Sequence, residues 1–331
     1  MIFSRFKKFV RENDLLGGGG GVVLAVSGGV DSMVMLDLFW RLSVLQGISV
    51  SVAHVNYGLR GRDSDADERL VRKICESREL QLDVLRKRPS KGKNLQDDAR
   101  LVRYRFLGET AAKRGARIIA TAHHMDDQAE TILLHVIRGS GLRGLAGMSA
   151  KGARGPLALI RPLLFASRKE IEIYAKRHRV RSRRDKTNSK SAYTRNRIRH
   201  SLLPALAKFN PRIVEALCEM GRRLKEEDDA LALVALEAFE DSAAVSEQGR
   251  VSLRRSVFCE FPRGLRSRLL RLAFEKATGS TADLNADQID KMDSIALKKG
   301  PGGQYRLRAP WKFVRDGDLI TIRSSATKCD R

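Results

Sequence analysis

The 331-residue sequence contains no C-x-x-C pair. Its four cysteines, Cys75, Cys218, Cys259 and Cys329, stand far apart. That rules out zinc or iron–sulfur spacing and fits a reducing, cytoplasmic setting. No run has the length and hydrophobicity of a membrane span, so no membrane partner is expected. The opening stretch MIFSRFKKFVREND lacks the apolar run and small-residue cleavage site of a secretory leader and reads as an amphipathic helix. There is no internal repeat, and no low-complexity tract beyond Gly17–Gly21, a flexible lead into the first strand. Acid is scarce: 39 Asp+Glu face 63 Lys+Arg, a net charge of +24. An excess of that size implies a polyanionic partner, nucleic acid first; an acidic membrane surface is the runner-up, with no membrane-spanning apolar stretch here to support it. The 42% apolar content is that of a globular protein, and the length allows two domains with a proper core.

Short apolar runs alternate with helical patterns through the first half. Strands are expected at Val22–Val26, Ile48–His54, Gln81–Leu85, Arg117–Ala122 and Leu157–Ile160. Helices are expected at Ser32–Leu45, Ser64–Arg78, Asn94–Arg114, Asp126–Ile137 and Arg168–Arg179. Such β-α repetition predicts an α/β fold with a parallel sheet, whose ligands bind at the carboxyl ends of strands. Gly139–Gly155 reads as a glycine-rich loop able to order over a ligand. Between Lys176 and Arg199 eleven cations, among them Arg184, Lys186 and Lys190, meet one acid, Asp185. A charge run is usually a solvated face, but this one lacks acidic partners and favours a polyanion contact. The domains expected are 1–210, a helical linker over 211–244, and a small α+β domain over 245–331.

Five segments carry chemistry. In the first, VVLAVSGGVDS, a β-branched strand empties into Ser27-Gly28-Gly29-Val30-Asp31-Ser32 and then a helix. Unpaired N–H groups and the helix dipole converge there on an anion, and the glycines let the backbone approach it. No lysine follows, which excludes the loop that serves β/γ-phosphates. Asp31 would repel a phosphate unless a metal ion or cationic substrate lies between. The pattern therefore suggests ATP cut at the α-phosphate, with Mg2+ shared by Asp31. A glycine turn between strand and helix also occurs for purely structural reasons.

The second segment sets His54 at a strand's carboxyl end, followed by Asn56 and Arg60. A nucleotide contact and a hydrogen-bonded histidine near the surface both fit. In the third, ATAHHMDDQAETILLHVIRGSG, Asp127 and Glu130 lie three apart on one helix face, able to bind Mg2+ or an ammonium group or take up a proton. Helix capping explains Asp126 or Asp127 singly, but not both together with Glu130. His123 and His124, adjacent on a strand, point to opposite faces and make a poor zinc pair. In the fourth, ARLVRYRFL, Arg100 and Arg103 share a face that reaches phosphates, or are simply solvated. The fifth, DKTNSKSAYTRNRIRHSLLP, offers Arg195, Asn196, Arg197 and Arg199 for charge-assisted bonds to phosphate oxygens.

Taken together, SGGVDS, HVNYGLR, ARLVRYRFL, AHHMDDQAETILLHVIRGSGLRGLAGM, RPLL and YTRNRIRHSLLP closely resemble the tRNA(Ile)-lysidine synthetase family of N-type ATP pyrophosphatases, or PP-loop proteins. The likeness covers about residues 20–210; the rest matches in kind only. The chain departs from the family at Tyr57, where a second histidine is usual, and at Asp185-Lys186-Thr187-Asn188, where acid-x-Ser-Asn is usual. The resemblance implies a Rossmann-like ATP pyrophosphatase domain, a helical linker and a small C-terminal tRNA-binding domain. It implies that the wobble cytidine of a tRNA(Ile) with anticodon CAU is adenylated by ATP, after which L-lysine displaces AMP to give lysidine. Ser27, Gly28, Gly29, Val30, Asp31, Ser32 and His54 would then bind the nucleotide, with Mg2+ on Asp31. Asp127, Glu130, Arg138 and Arg197 would bind substrate, and Asp31, Asp127, Glu130 and Arg195 would be catalytic. A homodimer is left open. A tRNA 2-thiocytidine synthetase would need the missing C-x-x-C, GMP or NAD synthetases would not explain the charge, and an idle RNA-binding scaffold would not need Asp31, Asp127 and Glu130 together.

Overall fold

The computed structural model describes residues 1–17, 19–59, 61–88, 95–183, 194–245, 250–280, 284–300 and 302–324. Arg60, Arg184, Lys186, Lys190, Cys329 and the Asp185–Asn188 pattern lie outside the described residues. The chain divides into two compact units, Met1–Leu224 and Lys225–Arg331. Among the described residues no helix is long and apolar enough to cross a membrane.

The first unit begins with α1 (Ile2–Glu12), β1 (Gly21–Ala25), α2 (Val30–Gln46), β2 (Val50–Asn56), α3 (Arg62–Glu76) and β3 (Gln81–Arg86). It continues through α4 (Leu95–Lys113), β4 (Ala116–Ala120), α5 (Met125–Ile137), α6 (Leu142–Leu145), β5 (Lys151–Arg154), β6 (Leu157–Ile160) and α7 (Arg168–Arg177). After α8 (Thr194–Arg197) comes a π-helical turn over Ile198–Leu202, then α9 (Leu203–Phe209) and α10 (Ile213–Ser242), within which the division between the units falls. Six strands form one sheet in the order β3-β2-β1-β4-β6-β5. All neighbours run parallel except β5, which is antiparallel to β6.

The strands are β-branched and apolar because both sheet faces are covered. Met33, Leu36 and Phe39 of α2 share one core with Leu24 and Val52. Tyr104 and Leu107 of α4 form a second, with Val23 and Ile119. Leu24 and Val23 are adjacent on β1, so alternation along the strand sends them to opposite faces. The segment expected to be an open glycine-rich loop contains α6 and β5 instead. Lys-Gly-Ala-Arg carries no strand pattern of its own; β5 exists because its backbone pairs with β6, from Lys151 opposite Ile160 to Arg154 opposite Leu157.

The strand order places the site. Chain progression runs outward from β1 in both directions, to β2 and β3 on one side and to β4 and β6 on the other. The crevice beyond the carboxyl end of β1 is therefore a topological switch point, where helices leave the sheet in opposite directions and a ligand finds room.

Behind β2, a buried polar network ties α3 to β3. Glu68, 1% exposed, accepts from Arg86 Nε (2.8 Å) and Nη2 (3.0 Å), from Arg72 Nε and Nη2 (both 3.0 Å), and from Asn56 Nδ2 (3.0 Å). The Arg86 hydrogen bonds hold its carboxyl down at about 2 against burial, from an ordinary 4.5. A depressed folded-state value gives stability that is present above the ordinary pKa and lost as pH falls through the folded one. Glu68→Gln should therefore flatten the fall in melting temperature as pH is lowered from 4.5 toward about 2. Parallel acid-melting curves for the two proteins would show that the network contributes no such linkage.

The second unit carries five antiparallel strands in the order β7-β8-β11-β10-β9: β7 (Ala243–Val245), β8 (Val251–Arg254), β9 (Gly303–Arg306), β10 (Trp311–Asp316) and β11 (Leu319–Ser324). Helices α11 (Arg255–Glu260), α12 (Arg263–Thr278) and α13 (Ala286–Leu297) accompany them. Phe258, Leu270, Phe274, Met292 and Phe313 form their common core. It is a small α+β unit.

Candidate active site

The turn after β1 is built from its own serines. Ser32 Oγ donates to Gly29 O (2.9 Å) and accepts from Ser27 N (3.1 Å), while Ser27 Oγ lies 3.1 Å from Ser32 Oγ and accepts from Gly29 N (3.3 Å). Gly28 has φ +91°, and a Cβ there would lie 3.2 Å from Asp67 Cβ, so conformation and space both call for glycine. The first i→i−4 bond of α2 runs from Met33 N to Gly29 O (3.0 Å). The N–H groups of Val30, Asp31 and Ser32 precede it and face the anion position of a helix N-terminus.

Two supports lie under and beside this turn. His54 is 2% exposed, enclosed beneath the loop rather than standing at its rim. Its Nδ1 donates to Val26 O (2.8 Å), its Nε2 is buried without a hydrogen-bond partner, and burial lowers its pKa, keeping the ring neutral. Arg183 donates its backbone N–H to Gly28 O (3.0 Å) and bridges Asp63 (2.6 Å) and Asp67 (2.9 Å) with its side chain. Asn56 belongs to the Glu68 network, and Tyr57 donates to Ala99 O (2.8 Å) at the start of α4.

Across the crevice, β4 leads into His123, His124 and α5. His124 is buried among three carboxylates: Nε2 lies 3.4 Å from Asp127 and 3.8 Å from Asp31, and Nδ1 lies 3.5 Å from Asp126. Burial opposes its protonation, but the acids prevail and raise its pKa. Asp126 goes the other way: burial opposes ionisation, yet His124 and the Arg168 N–H (2.8 Å) lower its pKa. His123 faces elsewhere, as alternation along a strand requires. Its Nδ1 lies 2.9 Å from Thr121 Oγ1, and burial, with the fields of Arg161, Arg103 and Arg195, brings its pKa down to about 4.

Asp31 links the two halves. Burial raises its pKa, and its Oδ1 is buried without a hydrogen-bond partner. Among the described residues no three His, Cys, Asp or Glu side chains gather as a complete metal cage. A single carboxylate with an unpaired oxygen nonetheless fits Mg2+, which usually takes one or two carboxylates and completes its shell with phosphates and water.

Asp127 and Glu130 do share a face, and Arg199 occupies it. Its Nη2 donates to Asp127 Oδ1 (3.0 Å) and Glu130 Oε2 (3.1 Å), and its Nε donates to Glu130 Oε1. Glu130 is 1% exposed, and burial raises its pKa despite the guanidinium. Arg195 joins through Thr131 Oγ1 (2.7 Å) and, at 3.8 Å, Glu130. Arg197 is exposed on α8. Arg138 caps the opposite end of α5 and is exposed, about 16 Å along the helix axis from Asp127, so the fold does not bring it to the carboxylates. Arg199, expected only as one of several phosphate ligands, instead pairs with the acids, and Arg183 braces the turn. Composition could not single out either from its basic neighbours.

Residues 2–206 match the PP-loop domain family. The chain is 37% identical over 312 residues to the tRNA(Ile)-lysidine synthase of Geobacter sulfurreducens, covering 92% of this chain and 65% of that protein. It is 34% identical over 324 residues to the tRNA(Ile)-lysidine synthase of Geobacillus kaustophilus, covering 96% and 69%. The chain belongs to the tRNA(Ile)-lysidine synthase family of PP-loop proteins. It spans about two thirds of the length of these relatives. The U34-tRNA thiolase NcsA from Methanococcus maripaludis shares the PP-loop fold, with a TM-score of 0.56 over 67% of this chain and 78% of that one at 20% identity. In this PP-loop chain the SGGVDS turn, Asp31, His124 and the Asp127–Glu130 pair are thus set around one crevice by adjacent strands β1 and β4.

Proposed function

We propose that this chain ligates L-lysine to C2 of the wobble cytidine of a tRNA(Ile) with anticodon CAU, consuming ATP and releasing pyrophosphate and AMP. The observation that carries the reading is the junction of β1 and β4, where Asp31, His124 and Asp127 meet between a phosphate-type turn and the carboxylate pair of partly exposed Asp127 and buried Glu130. The kinship with tRNA(Ile)-lysidine synthases supports the substrates, and the +24 charge supports a tRNA partner. A cytoplasmic location goes with that partner.

In the first step the cytosine C2 oxygen attacks the α-phosphorus, and the bond to pyrophosphate breaks. The turn's N–H groups and the hydroxyls of Ser27 and Ser32 would hold the departing phosphates. Mg2+ would be held by Asp31 and supply charge neutralisation there. In the second step the lysine ε-nitrogen bonds to C2 and the C2–O bond to AMP breaks. Adenylation matters because an oxide ion is a poor leaving group and AMP a good one. The amine must first lose a proton, and Asp127 and Glu130 are the groups placed to hold the ammonium and receive it. A guanidinium already fills the position an ammonium would take, so Arg199 must yield at least its bond to Asp127 as lysine enters. The target base has to leave its stack, which a single-stranded anticodon loop permits at low cost.

AMP release from ATP that depends on both tRNA and labelled lysine tests the reading. A chain that binds tRNA but never releases AMP overturns it. Asp127→Ala should separate the steps: lysine incorporation falls at least tenfold, on the order of one lost charge-assisted contact, while adenylated tRNA still accumulates. Equal loss of both steps would remove Asp127 from the lysine site. Sedimentation of the same preparation distinguishes a monomer from a homodimer.

A further inference from the structure

Three guanidiniums surround the ring of Tyr104. Arg100 and Arg103, on the same helix α4, lie 5.3 Å and 5.2 Å from its centroid, and Arg154 on β5 lies 3.9 Å away. A fourth, Arg161 just beyond β6, donates from Nη1 to Ser149 O (2.7 Å). Burial and the field of Arg100 lower the pKa of Arg161. Among the described residues none of the four forms an ion pair with a carboxylate. Arg103 Nε and Arg161 Nε are buried without hydrogen-bond partners, as is Tyr104 OH. Arg78 and Arg266, by contrast, are matched with acids, Asp37 and Asp293.

Like charges gathered without a counter-charge repel one another, and planar guanidiniums bring forked donors that fit phosphate oxygens. We propose that the Arg100–Arg103–Arg154–Arg161 cluster around Tyr104 is a binding site for a backbone phosphate of the RNA substrate. The inference rests on the tRNA reading above and adds a location to it. The occupant is a phosphate rather than a base because Tyr104 is 4% exposed and already lies among the guanidiniums, leaving no platform for a nucleobase. The site also borders the chemistry: Arg103 and Arg161 both act on His123, next in sequence to the histidine that joins Asp31 to Asp127. A phosphate held here would anchor the RNA strand beside the crevice and carry no sequence information.

The test uses the full chain and a labelled RNA hairpin carrying a seven-nucleotide loop, with affinity measured over a series of salt concentrations. Arg100 and Arg154 are exposed, so their replacement leaves the core intact. The double variant Arg100→Ala/Arg154→Ala should bind RNA about tenfold more weakly, with its log–log salt dependence shallower by about one to two units. The loss should be the same for loops of different sequence, and the affinity for ATP should not change. Arg100→Lys/Arg154→Lys should recover the salt slope and part of the affinity. Unchanged RNA affinity and slope in the alanine variant would overturn the proposal, as would a loss confined to ATP or to one loop sequence. Failure of the unaltered chain to bind any RNA would instead overturn the tRNA reading itself.

Discussion

Asp31→Asn should abolish most ATP cleavage, lowering tRNA-dependent pyrophosphate release by about a thousandfold while leaving the fold intact. The size follows from several kcal/mol of charge neutralisation at the transferring phosphorus, at about 1.4 kcal/mol per tenfold in rate. The preserved fold follows from the side chain's surroundings. Asp31 Oδ1 has no hydrogen-bond partner to lose, and the nearest cationic group, His124, keeps Asp126 and Asp127 within 3.5 Å. Single-turnover pyrophosphate release and a melting curve on the same preparation check both halves. Near-normal release would take Asp31 out of the phosphate chemistry and leave the loop an anion cradle only.

The second large effect concerns the arginine that lies over the carboxylate pair. Removing one partner of a buried ion pair leaves the other uncompensated, at a cost of about 3 kcal/mol or more. Arg199→Ala should therefore lower the melting temperature by about 6–12 °C for a unit of this size. Glu130, already shifted upward by burial, should shift further and take up a proton. If the vacated face accepts the substrate's ammonium, L-lysine should restore stability to this variant and do much less for the unaltered chain. A hundredfold excess over Kd contributes about 2.7 kcal/mol, nearly the whole deficit. Destabilisation without rescue by lysine would make Arg199 a structural clamp and place the ammonium elsewhere.

Much of this architecture can be read in the sequence because the signals are local. The run VVLAV followed by SGGVDS specifies a buried strand, a turn that needs glycine at 28, and a helix start. Asp127 and Glu130 share a face because three residues nearly complete a helical turn. What could not be read depends on tertiary contact. The sequence pattern ends a strand at His54, but β2 runs two residues further, to Asn56, and the His54 ring turns inward to Val26. Arg138 is close to Asp127 in sequence, but it sits at the other end of a rigid helix. In RNRIRH each arginine is chemically equivalent; Arg195 and Arg199, four apart, share the face that packs on the acids of α5, while Arg197, two residues from each, faces solvent, and only the packing says which face is which. β5 leaves no local signal because its four residues gain strand geometry only from β6.

The brace on the phosphate turn arrives late in synthesis. The turn leaves the ribosome early, but Arg183, which secures Gly28 O and bridges Asp63 and Asp67, is made long after it, following the last strand of the sheet. A nascent chain therefore exposes a glycine-rich turn whose clamp does not yet exist, and contacts so distant in sequence form late. The part of the protein read most easily from sequence is among the last to be fastened.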